Sequence, residues 1–202
     1  MSAGKYLIDA KDALIVVDLQ RDFLPGGALA VPAGDAVVEP LNRCVESFQR
    51  AGRPVFFSRD WHPVRHCSFR EQGGPWPVHC VVGSAGAQFA PGLRIPKDAS
   101  IVSKATAPDR DAYSAFQDTD LAERLRAAGV TRVLVGGLAT DYCVRATVLD
   151  ARASGFEAVV LTDAVRAVDV KAGDGGRALD EMRARGASLF ASTDLASSAD
   201  GR

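Results

Sequence analysis

Apolar and polar positions follow two alternating rhythms along this chain. "ALIVVD" (13–18) is a near-continuous apolar run, the pattern of a parallel strand covered on both faces. Between 35 and 51 the apolar residues Val38, Leu41, Val45 and Phe48 recur at spacings of 3, 4 and 3, which predicts an amphipathic helix. Strand-like runs return at 54–60, 100–105, 131–137, 157–163 and 187–192. Helical segments separate several of them. "DTDLAERLRAAG" offers Asp120 as an N-cap, Glu123 three residues on and Gly129 as the stop. Residues 141–154 read as a helix ended by Gly155, and 174–185 as another.

This βαβ rhythm predicts a three-layer α/β/α fold around a mostly parallel sheet of about six strands. One stretch, 61–98, breaks it. The stretch is rich in Pro, Gly, His and Trp, and it carries both tryptophans and all three histidines of the chain. A long irregular insertion with that content reads as functional. With no repeat, low-complexity tract or linker, residues 1–202 read as a single domain.

Composition narrows the classes. The chain has 202 residues, 47% hydrophobic and 24% charged, with a formal net charge of −1. That suits a soluble globular protein. Without a Lys/Arg cluster, nucleic-acid binding is not expected. No apolar run reaches the roughly 20 residues that span a bilayer. The N-terminal apolar stretch ends in Asp18 and reads as a strand, not a signal peptide, so a cytoplasmic protein is expected. The four cysteines, at 44, 67, 80 and 143, form no CxxC pair and are expected as reduced thiols. Homo-oligomerisation is left open.

Open parallel sheets bind ligands at the carboxyl ends of their strands. Asp18, Asp60, Lys104 and Cys143 all fall at or just beyond such ends. Each has a bland reading as turn former, surface charge or small buried residue. Together they supply a base, a cation and a nucleophile for acyl transfer. Cys143, on the first turn of the predicted helix, is placed where backbone N–H groups favour a thiolate. Lys104 would favour it further, and Asp18 could accept the proton. Backbone N–H groups of "GGLATDYC" could face a tetrahedral oxyanion. Separately, Asp60 and His62, with His66 and His79, offer a carboxylate and up to three imidazoles for a divalent Zn, Fe or Mn ion.

The segments "VVDLQRDFLPGGALAVPAGD", "SRDWHPVRHCSF", "WPVHCVVGSAGAQF", "DAYSAF" and "GLATDYCVRATVLDA" resemble the nicotinamidase (pyrazinamidase) family of the isochorismatase-like hydrolases, over about residues 12–192. The D-W-H-P and W-P-x-H-C motifs point to nicotinamidases rather than isochorismatases. The resemblance implies a catalytic set of Asp18, Lys104 and Cys143 and metal ligands Asp60, His62 and His79. It implies a cis Leu138–Ala139 peptide bond, with the N–H groups of Ala139 and Cys143 forming the oxyanion hole. It also implies a substrate pocket lined by Phe23, Trp76 and Tyr113. The expected reaction is metal-dependent hydrolysis of nicotinamide to nicotinate and ammonia through a cysteine thioester, a step of NAD salvage that needs no nucleotide cofactor. Two positions depart from the family pattern. Arg21 replaces a usual Asn, and Ala105 replaces the usual Gly after the lysine. Whether His66, Ser68 or Glu71 joins the metal shell stays open. Rival readings are a sister amidase for a carbamoyl or ureido compound, a non-catalytic binding protein on this fold, and a structural domain with incidental polar residues.

Overall fold

The second strand sits at the centre of the molecule because both of its faces are apolar. β2 (Asp12–Val17) is buried at every position. Leu14 and Val16 enter one core while Ala13, Ile15 and Val17 enter the other, as the period-2 alternation of a strand demands. The computed structural model describes residues 6–197; the outermost five residues at each end of the expected 1–202 span lie outside it.

Around β2 run β3 (Val55–Asp60), β4 (Ser100–Lys104), β5 (Arg132–Leu138), β6 (Glu157–Arg166) and β7 (Ser188–Phe190). They form one six-stranded sheet in the order β4-β3-β2-β5-β6-β7, and every pairing is parallel. The helices are α1 (Val38–Arg50), α2 (Leu121–Ala127), α3 (Arg145–Ala153) and α4 (Asp174–Ala184). Leu41, Val45 and Phe48 of α1 pack into one core; Leu125, Val148 and Met182 of the other helices pack into the second. The expected three layers and six strands are present. Strand order reverses beside β2, so the ends of β2 and β5 flank the topological switch point where a crevice opens. Gly137 makes that junction close. Its φ is +125°, and a Cβ there would stand 2.1 Å from the Val17 carbonyl oxygen.

Several boundaries differ from expectation. The helix predicted from 35 begins at Val38, after a single 3₁₀ turn at Gly34–Val37. Pro40 falls in its first turn, where proline is tolerated. Asp120 does not cap α2 with its side chain; it pairs instead with Arg124 at 2.9 Å on the surface. β6 runs on to Arg166, with a register shift against β5 between Val135 and Gly137. A short parallel pair, β1 (Tyr6–Ile8) with β8 (Leu195–Ser197), was not anticipated. Three residues are too few to display a period. The insertion after β3 is irregular, as expected. Isolated bridges Gln20–Phe89, His62–Val81 and Phe69–Trp76 fasten it. No helix among the described residues is long and apolar enough to cross a membrane.

Candidate active site

Three neighbouring strands deliver three charged side chains to one buried point. β2 runs out into Asp18, whose φ of +46° turns the chain sharply. β3 ends in Asp60, and β4 ends in Lys104 directly beside it in register. Lys104 Nζ lies 2.9 Å from Asp18 Oδ2 and 2.5 Å from Asp60 Oδ1. It also donates to the Ala112 carbonyl at 2.9 Å and stands 3.6 Å from Cys143 Sγ. Burial alone would lower the Lys104 pKa, but the two carboxylates hold it well above its ordinary value. Burial would raise Asp60, yet Lys104 and His62 keep it below the usual carboxylate range. Asp18 has no such surplus of partners. Burial pushes it up to about 6, with Asp60 adding to the rise and Lys104 opposing it. Ser58 also opposes the rise, donating its hydroxyl to Asp18 Oδ1 at 2.7 Å. Asp18 Oδ2 faces the Lys104 ammonium at 2.9 Å, and an oxygen of this carboxylate lies within 4.8 Å of Cys143 Sγ.

Cys143 lies in the first turn of the expected helix, but that turn is of π type. Thr140–Val144 form a π-type turn, and regular helix begins only at Arg145. The Val144 N–H reaches the Ala139 carbonyl, five residues back, at 3.0 Å. Such widened turns recur at functional sites. The Leu138–Ala139 peptide bond is cis. The expectation of a readily formed thiolate also needs correction. Burial, with Asp18 and Asp60 beside it, pushes the Cys143 thiol well above its ordinary value, and Lys104 only partly opposes this. The lysine is already shared between two carboxylates.

The second constellation lies alongside. One potential ligand atom from each of Asp60, His62 and His79 comes within 4.8 Å of the others, and all three residues are buried. Hydrogen bonding separates the three histidines. His62 Nδ1 donates to the Ala105 carbonyl at 3.3 Å, leaving Nε2 buried without a partner. His79 Nδ1 donates to the Pro77 carbonyl at 2.8 Å, which likewise frees its Nε2. In His66 both nitrogens are used. Nδ1 meets Ser68 Oγ at 2.7 Å and Nε2 donates to the Arg110 carbonyl at 3.1 Å. Its ring stacks on His62 with centroids 4.2 Å apart, so His66 buttresses the cluster. Ser68 is engaged with His66, and Glu71 is exposed. Burial holds His62 down at about 4, the more so with His79 and His66 beside it and despite Asp60. A neutral imidazole with an orphaned lone pair, a second freed imidazole and a carboxylate fit a divalent cation. The nearby grouping of Asp18, Asp60 and Cys143 is different, because the Lys104 ammonium supplies its cation.

Both constellations meet one pocket. Phe23, Trp76 and Tyr113 line it, together with Asp60, His62, His79, Ala139 and Cys143. Trp76 Nε1 donates to the Tyr113 hydroxyl at 2.9 Å. Cys143 is 6% exposed, whereas Asp18 and Lys104 are 0% and 1%. The sulfur therefore faces the pocket and the two charged groups stand behind it.

The isochorismatase domain pattern matches residues 12–194. The nicotinamidase of Escherichia coli (strain K12) is 42% identical, covering 90% of this chain and 95% of its own length. The chain belongs to the nicotinamidase and pyrazinamidase family of isochorismatase-like hydrolases. Its fold is shared by the zinc complex of Pyrococcus horikoshii pyrazinamidase, at 52% identity and a TM-score of 0.86, covering 90% of this chain and 99% of that one. It is shared also by PnC1 of L. infantum in complex with nicotinate, at 37% identity and 0.87, covering 96% and 99%.

As a member of this amidohydrolase family the chain shows two departures that now have locations. Arg21 is exposed and does not line the pocket. Ala105, where the nicotinamidase pattern has Gly, takes φ of +51°, a left-handed conformation that disfavours a side chain. Sequence reasoning missed several residues. Gln20 is fully buried and clamps the Asp60 backbone, accepting its N–H at 2.7 Å and donating to its carbonyl at 2.8 Å. Asp22 accepts the Cys80 N–H at 2.7 Å, next to His79. Tyr142 packs edge-on against Trp76 at 5.1 Å, and Asp111 and Val168 complete the pocket wall. Gln20, Asp22, Asp111 and Tyr142 lie inside segments that resemble the family, but residue type alone does not show that they meet at this pocket; the fold does.

Proposed function

We propose that this enzyme hydrolyses nicotinamide to nicotinate and ammonia, with Cys143 as nucleophile, Asp18 as proton carrier and Lys104 as the fixed cation. The observation that carries the reading is the convergence of a buried Asp–Lys–Cys cluster and an Asp–His–His cluster on one aromatic pocket. The family relatives that act on nicotinamide or pyrazinamide support it.

Phe23, Trp76 and Tyr113 would sandwich a flat heteroaromatic ring and present its carboxamide carbon to Cys143, the proximity contribution to catalysis. Asp60, His62 and His79 would hold a divalent cation, zinc being the ion in the Pyrococcus relative, which supplies a Lewis-acidic anchor for a ring nitrogen. The thiol proton passes to Asp18 as sulfur attacks the carbon. The negative charge moves onto the amide oxygen, facing the N–H groups of Ala139 and Cys143. Asp18 returns the proton to the departing nitrogen, and ammonia leaves behind a thioester. A water molecule then gives its proton to Asp18 and adds to the thioester; the C–S bond breaks, nicotinate leaves and the thiol is restored. Lys104 keeps its proton throughout and balances the two carboxylates.

In this reading the chain is one domain working in the cytoplasm as part of NAD salvage. All four cysteines are free, as a reducing compartment requires. The test is ammonia release from a panel of amides, nicotinamide beside carbamoyl and ureido compounds, by wild type and Cys143→Ala. Preference for nicotinamide and loss of turnover in a folded, metal-retaining variant are expected. Wild-type turnover by the variant, or preference for a ureido substrate, would overturn the assignment.

A further inference from the structure

Asp111 is the one carboxylate on the pocket wall, among the described residues, that takes part in neither cluster. It lines the same pocket as Trp76 and Tyr113. Its Oδ1 accepts the N–H of the next residue, Ala112, at 2.9 Å. No Lys, Arg or His among the described residues forms an ion pair with it; the adjacent Arg110 is turned to Asp118 at 3.5 Å on the surface. The charge nevertheless reaches the pocket. After burial, and against the hydrogen bond from Trp76, Asp111 raises the Tyr113 phenol above its ordinary value.

The charges around the site explain what such a group is for. Behind the pocket Asp18 and Asp60 carry two negative charges and Lys104 one positive. A divalent cation on Asp60, His62 and His79 would bring that set to one net positive charge. A pocket of that charge favours an anion, and the proposed reaction turns a neutral amide into an anionic carboxylate. Left so, the site would hold its product more tightly than its substrate. We infer that Asp111 is a specificity residue that cancels this excess charge, so that the pocket selects neutral heteroaromatic amides and expels the carboxylate product. This rests on the reading of the reaction as amide hydrolysis. A unit charge across a pocket, at an effective dielectric near 20, changes anion affinity by on the order of tenfold.

The experiment is calorimetric binding of nicotinate and of nicotinaldehyde, an anion and a neutral ring of similar shape, to zinc-loaded protein with Cys143→Ala in the background to prevent covalent capture. Asp111→Asn preserves the Oδ1 acceptor for Ala112 and removes only the charge. Nicotinate should bind about 5- to 30-fold tighter to Asp111→Asn, while nicotinaldehyde changes less than about twofold. Asp35→Asn, an exposed carboxylate outside the pocket, controls for net charge and should shift neither ligand. Equal shifts of both ligands, or none for nicotinate, would overturn the role of Asp111. Failure of the background protein to bind either ring would overturn the proposed function instead. As a second readout in the Cys143-intact enzyme, product inhibition by nicotinate should strengthen by the same factor in Asp111→Asn.

Discussion

Removing one hydroxyl behind the nucleophile tests whether Asp18 is the working base. Ser58 donates to Asp18 Oδ1 at 2.7 Å in a fully enclosed setting, and this bond favours the ionised carboxylate. Hydrogen bonds to charged groups are worth about 1.5–3 kcal/mol, part of which survives when the acid is protonated. A differential of about 1.4 kcal/mol is one pKa unit. In Ser58→Ala the Asp18 carboxyl should therefore move from about 6 to about 7. The sign follows from the chemistry: a general base must be ionised, so kcat/KM falls as pH drops through its pKa. At pH 6 the ionised fraction would fall from about a half to about a tenth, a fivefold loss. At pH 8 the loss would be only about a tenth of the rate. The assay is initial ammonia release at low nicotinamide between pH 5 and 9. An unmoved acid limb, or a uniform loss at every pH, would refute Asp18 as the titrating base.

Three further outcomes are expected. His62→Ala should weaken divalent metal binding at least about 100-fold, read as metal content after dialysis, and raise KM sharply; stoichiometric retained metal would remove His62 from the ligand set. Lys104→Met leaves two carboxylates buried without their cation and should destabilise the fold by about 3–5 kcal/mol in urea titration. That deficit should shrink on acidification, because a proton on Asp18 can replace the ammonium. Ala105→Gly relieves a left-handed residue, a gain of about 1–2 kcal/mol, offset by the looser unfolded chain at about 0.4–1 kcal/mol. The net is about 0.5–1 kcal/mol of added stability, seen as a higher urea midpoint with an unchanged slope.

The central strands and their carboxyl-end residues were legible because buried parallel strands write long apolar runs, and such runs end where polar chemistry starts; β4 and β7, at the sheet edges, are shorter and partly exposed. Asp18, Asp60, Lys104 and Cys143 were found by that rule alone. The metal set was only half legible. Spacing offered His62, His66 and His79 equally, and what separates them is which ring nitrogens the backbone consumes. The Ala105 and Pro77 carbonyls free one nitrogen on His62 and His79, while Ser68 and Arg110 use both on His66. Carbonyl directions of that kind leave no trace in residue type. The π-type turn at Cys143 was invisible for a related reason, since a single bond from Val144 to Ala139 decides it. Tyr142, Asp111 and Val168 come from three separate segments and meet only once the chain is folded.

The state of the resting sulfur links these observations. A helix start and a nearby lysine made a thiolate plausible, yet the lysine is shared between Asp18 and Asp60 at 2.9 and 2.5 Å. A thiolate would add a third negative charge around a single ammonium, in a place where Asp18 itself is raised to about 6. In the proposed mechanism, transfer of the thiol proton to Asp18 works against the negative charge already there. In that mechanism the charge leaves sulfur for the amide oxygen, so proton transfer and attack would be coupled. The same arrangement explains why the base is not simply paired and inert. Asp60 takes the shorter contact with Lys104, and its own pKa stays low. Asp18 is raised to about 6, which in the proposed mechanism would let it accept a proton from sulfur and return it to nitrogen within one turnover.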